Sequence, residues 1–314
     1  MRVRRHLLAS LVLLGGSLIM TACGSTTSAV PNGQVLHMVA LKDAVFQPAV
    51  PAGYTLYTLT YESEGEPVQA FVGVPPGKGP FQLLVDLHGG SPVALNGPSR
   101  TGGVTAVAAA NEVLPALIVF LPNYRGYRPS PGNVQDGYHD YLDARNGLKA
   151  LQNIRSIHVA PHDTYLNGTS IGGFVALRLA ASDPNVRAVV LTSPWPGMDA
   201  VLGWLKPQVG QNSQDESAYE TIRSYGGANP GPWLRRNSVV FSKIHAPILI
   251  VGGTQDTTIP PALLRYLDQQ LSATDPSVEL TFVPGGHAPL GSQTVQDFNA
   301  FMNRQGLSTI VPEP

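Results

Sequence analysis

The feature that most narrows the fold is a regular beat of short, nearly unbroken apolar runs separated by helical segments. FQLLVDL (Phe81 to Leu87), ALIVFL (Ala116 to Leu121), a short run from Asp163 to Leu166, and the runs Val186 to Thr192, Pro247 to Val251 and Val278 to Val283 read as strands. Between and after them, Gly102 to Leu114, Tyr138 to Ile154, Gly172 to Ala181, Pro260 to Leu271 and Val295 to Asn303 read as helices. Strands that are apolar on both faces and alternate with helices imply a mostly parallel sheet covered on both sides, an α/β fold. Ahead of this beat, YTLYTLTYES and QAFVGVPP have the β-rich character of an antiparallel pair. From about Trp195 to Phe241 the rhythm breaks into Pro, Gly and Trp, which predicts a small insertion overhanging the carboxyl edge of the sheet as a lid.

In open α/β sheets the reactive crevice lies outside the carboxyl ends of the strands, so chemistry is sought where those ends meet the following loops. The stretch YLNGTSIGGFVALRLA holds Gly168-Thr169-Ser170-Ile171-Gly172 where a strand passes into a helix. In a chain with 33 Gly among 314 residues, a Gly-x-Ser-x-Gly pattern arises by chance in roughly one such sequence in five. The pattern alone is therefore compatible with a tight packing turn.

Its surroundings separate the two readings. A serine hydroxyl is a weak nucleophile and needs a histidine base held by a carboxylate. PILIVGGTQDTTIPP places Asp256 just after one predicted strand, and LTFVPGGHAPLGS places His287 just after the last. Ser170, Asp256 and His287 thus fall at one sheet edge, in the chain order known for a Ser-Asp-His triad on such a sheet. DTTIPP also suits a helix start and His287 could be an ordinary loop histidine, but His139, His158, His162 and His245 follow no strand at that edge. In LLVDLHGGSP, the loop His88-Gly89-Gly90 follows an earlier strand. Its Gly90 N–H and the N–H of Ile171 are the expected pair of oxyanion donors, with His88 orienting the loop.

Several features point away from other chemistries. Asp140 and Asp143 in YHDYLDARNGLKAL stand three apart on one predicted helix face; they read as solvated or capping carboxylates near Arg145 and Asn146 rather than as a glycosidase pair. No His/Cys/Asp cluster has metal-ligand spacing, so no metal or organic cofactor is expected. With 20 Lys and Arg against 21 Asp and Glu, there is no basic excess to engage nucleic acid. Trp195, at the same sheet edge, is an expected wall of the acyl or leaving-group pocket.

The first residues read as an export signal: Arg2, Arg4 and Arg5, then an apolar run from Leu7 to Met20, too short to span a bilayer. The segment ends in MTAC, whose Cys23 is the only cysteine. This resembles the lipobox of bacterial lipoproteins, with Met20 where Leu is usual. The expected organisation is a signal peptide over 1–22, a flexible tether over 23–34, and one domain over 35–314, exported and anchored through lipid on Cys23.

DLHGGSP, PNYRGYRPSPG, NGTSIGGF, LRRNSVVFSKIHAPILIVGGTQDTTIPP and GGHAPLG occur in the order found in α/β-hydrolases of the prolyl oligopeptidase type. From about Tyr54 onward the chain resembles that family. The resemblance implies an α/β-hydrolase fold, with Ser170 as nucleophile, Asp256 as acid, His287 as base, Gly90 and Ile171 as backbone donors, and Tyr124 beside the site as a substrate contact. The chain departs from the family in two ways. Too few residues precede the first hydrolase strands for an access-gating β-propeller, and no acidic pair to hold a peptide amino terminus is identifiable. The expected substrate is accordingly a small ester, or alternatively a short peptide; a non-catalytic binding protein on the same fold is the remaining alternative.

Overall fold

The computed structural model describes residues 30–41, 53–90, 117–134, 137–211, 216–217, 219–220, 230–274 and 277–307. The expected signal peptide, most of the expected tether, Cys23 and the helix expected over Gly102 to Leu114 lie outside the described residues.

Nine strands form one sheet: β1 Val35–Ala40, β2 Thr55–Ser63, β3 Glu66–Val74, β4 Phe81–Leu87, β5 Ile118–Asn123, β6 Val159–Thr169, β7 Val186–Thr192, β8 Ile248–Gly253 and β9 Val278–Val283. Their order is β1-β2-β3-β5-β4-β6-β7-β8-β9. The expected antiparallel pair is β2 and β3, joined so that Ser63 faces Glu66. The two linking residues, Glu64 and Gly65, both have positive φ (52° and 89°), the backbone of a type I′ turn whose twist matches the strands it joins. From β5 to β9 every pairing is parallel, so all six carboxyl ends lie at one edge.

Alternate residues of the parallel strands feed two cores. Leu83, Val85 and Leu87 of β4, with Val189 and Leu191 of β7, face helices α1 (Gly137–Gln152), α2 (Ile171–Ala180), α3 (Met198–Leu205) and α5 (Pro261–Ser272). Leu84, Val190, Leu249 and Val251 face the opposite side, where Phe301 and Met302 of α6 (Ser292–Arg304) cover them. Each fully buried Leu, Ile or Phe contributes about 1.5–3 kcal/mol of transfer free energy, and this two-sided burial holds the carboxyl edge as a rigid rim.

The insertion between β7 and β8 contains α3 and α4 (Pro230–Arg236). Met198, Val201 and Leu205 of α3 are buried in the main core. Within the expected lid, α3 thus packs its apolar face onto the interior of the domain.

Candidate active site

Strand β6 runs through Asn167, Gly168 and Thr169, three residues further than the sequence pattern indicated, and Ser170 is the first residue beyond it. Ser170 has φ 54° and ψ −119°, a backbone conformation that costs a non-glycine residue about 1–3 kcal/mol. Three hydrogen bonds hold it there. Its N–H donates to Thr192 O (3.1 Å), and its carbonyl accepts from Gly173 N (2.9 Å) and Trp195 N (2.8 Å).

The glycines around Ser170 are required by space. A methyl on Gly168 would stand 2.6 Å from Gly172 O; one on Gly172 would run into Leu87 O, and one on Gly173 into Pro194 Cβ. The strand, the elbow and the helix thus approach one another with no space for a side chain at any of these three glycines. Ile171 opens α2, so its N–H belongs to the first turn, where amides have no intrahelical acceptor and the helix dipole is positive.

The structure brings Ser170, His287 and Asp256 together. His287 Nε2 is 3.0 Å from Ser170 Oγ, and His287 Nδ1 is 2.9 Å from Asp256 Oδ2. The two ends of this relay differ in environment: the Asp256 side chain is fully buried, whereas 29% of the His287 side chain is exposed. Asp256 Oδ1 accepts from the N–H groups of Thr258 and Ile259, both at 2.8 Å. Burial alone would raise the Asp256 pKa. Hydrogen bonds from His287, Ile259 N–H and the Ser193 hydroxyl outweigh that and hold it below the usual carboxylate value. An anionic Asp256 accepting from Nδ1–H leaves Nε2 as the acceptor facing Ser170, the tautomer a general base requires.

The His88-Gly89-Gly90 loop closes over the same place. A methyl on Gly89 would lie 3.2 Å from Ser170 Cβ, so the loop backbone touches the serine turn. His88 Nδ1 is 2.7 Å from Gly89 O. Burial depresses the His88 imidazole to about 4, against 6.5 for an ordinary histidine, so a neutral ring donates Nδ1–H to that carbonyl. The peptide unit is planar and trans; tying Gly89 O back to His88 turns the Gly90 N–H the opposite way. Gly90 lies flush against the Tyr127 ring, with no space for a side chain.

Tyr124 occupies a different position from the one expected of a substrate contact. Its ring has no exposed surface and stacks on His88, with centroids 4.3 Å apart. Tyr127 meets both rings edge-on. Tyr124 therefore backs the glycine loop from inside, and the reason is its neighbour. Arg125 is buried in an ion pair with Asp143 (Nη2 to Oδ1, 2.6 Å). The Arg125 N–H donates to Asp143 Oδ2 (2.8 Å), and Ser63 Oγ donates to Oδ1 (2.6 Å). Asp143, read from the sequence as a solvated or capping carboxylate near Arg145, is instead fully buried, and Asp140 is 2% exposed. The sequence spacing located both on one helix but could not show that the face was turned inward toward Arg125.

Trp195 is partly exposed at the carboxyl edge, and its backbone amide fixes the Ser170 carbonyl, a role with no sequence signature. Ser193 likewise has no sequence signature: it is the first residue after β7, fully buried, and its side chain hydrogen-bonds the Asp256 carboxylate.

A mostly parallel sheet with a strained serine at a strand-to-helix elbow, and an acid and a histidine on later strand ends, defines a hydrolase of the α/β type. The chain belongs to the alpha/beta hydrolase family, whose sequence profile matches residues 83–301. It is 25% identical over 226 residues to the uncharacterized peptidase YtmA of Bacillus subtilis, covering 71% of this chain and 82% of that one. In fold it is similar to acetyl xylan esterase 1 from Thermoanaerobacterium sp. (TM-score 0.60, 19% identity, 86% of this chain and 88% of that). It is also similar to the acylaminoacyl peptidase of Pyrococcus horikoshii (TM-score 0.61, 13% identity), covering 86% of this chain and 44% of that one.

Proposed function

We propose that this protein is an exported serine hydrolase that cleaves carboxylic esters through an acyl-enzyme. The observation that carries the reading is the continuous relay from Ser170 Oγ through His287 to the buried Asp256, with contacts of 3.0 and 2.9 Å. Ser170 Oγ attacks the substrate carbonyl carbon as His287 Nε2 takes its proton. Asp256 holds the ring in place and stabilises the imidazolium. The oxyanion is received by the N–H groups of Gly90 and Ile171. Collapse breaks the bond to the leaving alcohol, which takes the proton from His287. Water, deprotonated by the same nitrogen, then attacks the acyl carbonyl and frees Ser170. Trp195 borders the crevice, and Tyr124 supports the oxyanion loop from behind.

A second reading, hydrolysis of short peptides in the manner of a prolyl oligopeptidase-type enzyme, is favoured by the likeness to YtmA, named a peptidase. The two differ in the leaving group, an alcohol or an amine, that His287 must protonate. Export and lipid attachment at Cys23 are part of the proposal and rest on the arginine-led apolar segment and MTAC.

The test is Ser170→Ala in the purified domain. Hydrolysis of p-nitrophenyl acetate and labelling by a fluorophosphonate should both be lost, while a panel of aminoacyl amides and esters separates the two substrate classes. Undiminished labelling of Ser170→Ala would overturn the mechanism. Absence of labelling in the unaltered protein would favour the non-catalytic alternative.

A further inference from the structure

Ser193 stands between the strand that carries Ser170 and the strand that leads to Asp256, since β7 pairs with β6 on one side and β8 on the other. It has no exposed surface, and its φ of 43° is in the left-handed region that side chains rarely adopt. Its backbone continues the ladder, N–H to Val251 O at 2.8 Å. The side-chain oxygen accepts the N–H of Ala288, the residue after His287, at 3.1 Å. The same side chain hydrogen-bonds the Asp256 carboxylate.

The chemistry of a hydroxyl fixes the directions. An ionised carboxylate can only accept and an amide N–H can only donate. With the Ala288 amide directed at its lone pair, Ser193 has its single proton left for Asp256. One hydroxyl therefore links the loop of the acid to the loop of the base, beside the contact that the two make directly. Ala288 also has positive φ, 51°, so the backbone on the far side of His287 is bent into an uncommon conformation where Ser193 grips it. On the near side of His287 the loop is tied by Gln255 N–H to Gly285 O at 2.8 Å; directly after it, the Ser193 hydroxyl holds the backbone.

We propose that Ser193 is a positioning residue of the catalytic relay: its hydroxyl holds the backbone beside His287 and the Asp256 carboxylate in one register, and so sets the approach of His287 Nε2 to Ser170. The inference rests on the relay being catalytic as described above. A base displaced by a fraction of an ångström loses rate in the chemical step, on the order of 10–100-fold, while substrate binding is little changed.

Two substitutions distinguish positioning from packing. Ser193→Ala removes the hydroxyl and keeps the strained backbone. Ser193→Gly removes the hydroxyl and relieves the strain, because glycine adopts positive φ freely. Both are expected to lower kcat for p-nitrophenyl acetate by about 10–100-fold with KM within about threefold, and Ser193→Gly is expected to melt no lower than Ser193→Ala. In an Asp256→Ala background, Ser193→Ala should add less than about threefold, because residues acting as a unit are not additive. The proposal is overturned if Ser193→Gly retains full kcat, if the two substitutions are multiplicative, or if neither variant folds, which would make the role structural. Loss of activity in Ser170→Ala together with full activity in Ser193→Gly would leave the catalytic reading standing and remove this one alone.

Discussion

Replacing Asp143 by Asn tests whether the wall behind the oxyanion loop is held by a buried charge pair. The carboxylate is fully buried and accepts from Arg125 N–H at 2.8 Å, Arg125 Nε at 3.0 Å, Arg125 Nη2 at 2.6 Å and Ser63 Oγ at 2.6 Å. Asparagine keeps the shape but presents an NH2 group to donors on one side and leaves the 3%-exposed Arg125 without its hydrogen-bonded counter-charge, with only the more distant Glu66 and Asp140 acting on it. Breaking one member of a buried pair costs about 3–5 kcal/mol. With a urea slope of about 3 kcal/mol per M, the unfolding midpoint should fall by about 1–2 M. The double substitution Arg125→Met, Asp143→Leu removes both charges and should recover most of that loss, since apolar replacement of a buried pair is often neutral or stabilising. Urea unfolding followed by tryptophan fluorescence, with ester hydrolysis on the same samples, reads both effects. A loss below about 1 kcal/mol for Asp143→Asn, or a double variant as unstable as the single one, would refute the account given of this network.

Two further predictions concern the loop and the elbow. His88 is held neutral with its pKa lowered from 6.5 to about 4; the unfolded chain then binds a proton that the folded one refuses. Stability is full above the unfolded value, falls with pH between 6.5 and 4, and is level again below. This loss amounts to about 3 kcal/mol and should be absent from the pH dependence of melting in His88→Asn. Gly172→Ala drives a methyl onto Leu87 O, a backbone atom that cannot turn aside. It should abolish fluorophosphonate labelling and lower the melting temperature, whereas an active, equally stable variant would contradict the close approach of α2 to β4.

What could be read from the sequence was what depends on local pattern and chain order. The bounds of β4, β7 and β9 follow directly from their apolar runs, and Ser170, Asp256 and His287 were legible because each follows such a run. Strand β6 extends beyond its apolar run at both ends for identifiable reasons. Pro161 and His162 look like a break, yet the strand passes through them with His162 at φ 58°, a shift of register against β4 ahead of Thr164 and another against β7 between Thr164 and Tyr165. At the other end Asn167 and Gly168 are poor strand formers, but the Asn167 side chain donates to Asp86 Oδ1 on β4 at 2.8 Å and the backbone pairs on both sides. The pairs Arg125–Asp143 and Ser193–Ala288 join residues distant in the chain, and such pairing has no trace in one sequence. Tyr124 lies on the inner side of its own loop rather than on the substrate side, since a motif gives adjacency and not the direction of a ring.

These long-range contacts explain how the serine elbow can exist at all. A φ of 54° at Ser170 costs about 1–3 kcal/mol, and a turn of that kind relaxes unless its surroundings leave it no alternative. Each direction of relaxation is closed by a different element. Thr192 O holds the amide, Gly173 and Trp195 hold the carbonyl, and Leu87 O and Pro194 Cβ press on the sites where Gly172 and Gly173 carry no side chain. Leu87 precedes the His88-Gly89-Gly90 loop, while Pro194 and Trp195 follow Ser193. The strands that over-determine the serine turn are thus the same ones that deliver the loop donor and the Ser193 link. Strain at Ser170 and alignment of its partners are accordingly one property of the β4–β6–β7 edge, and a substitution that loosens the edge should relax the serine and misplace its base together.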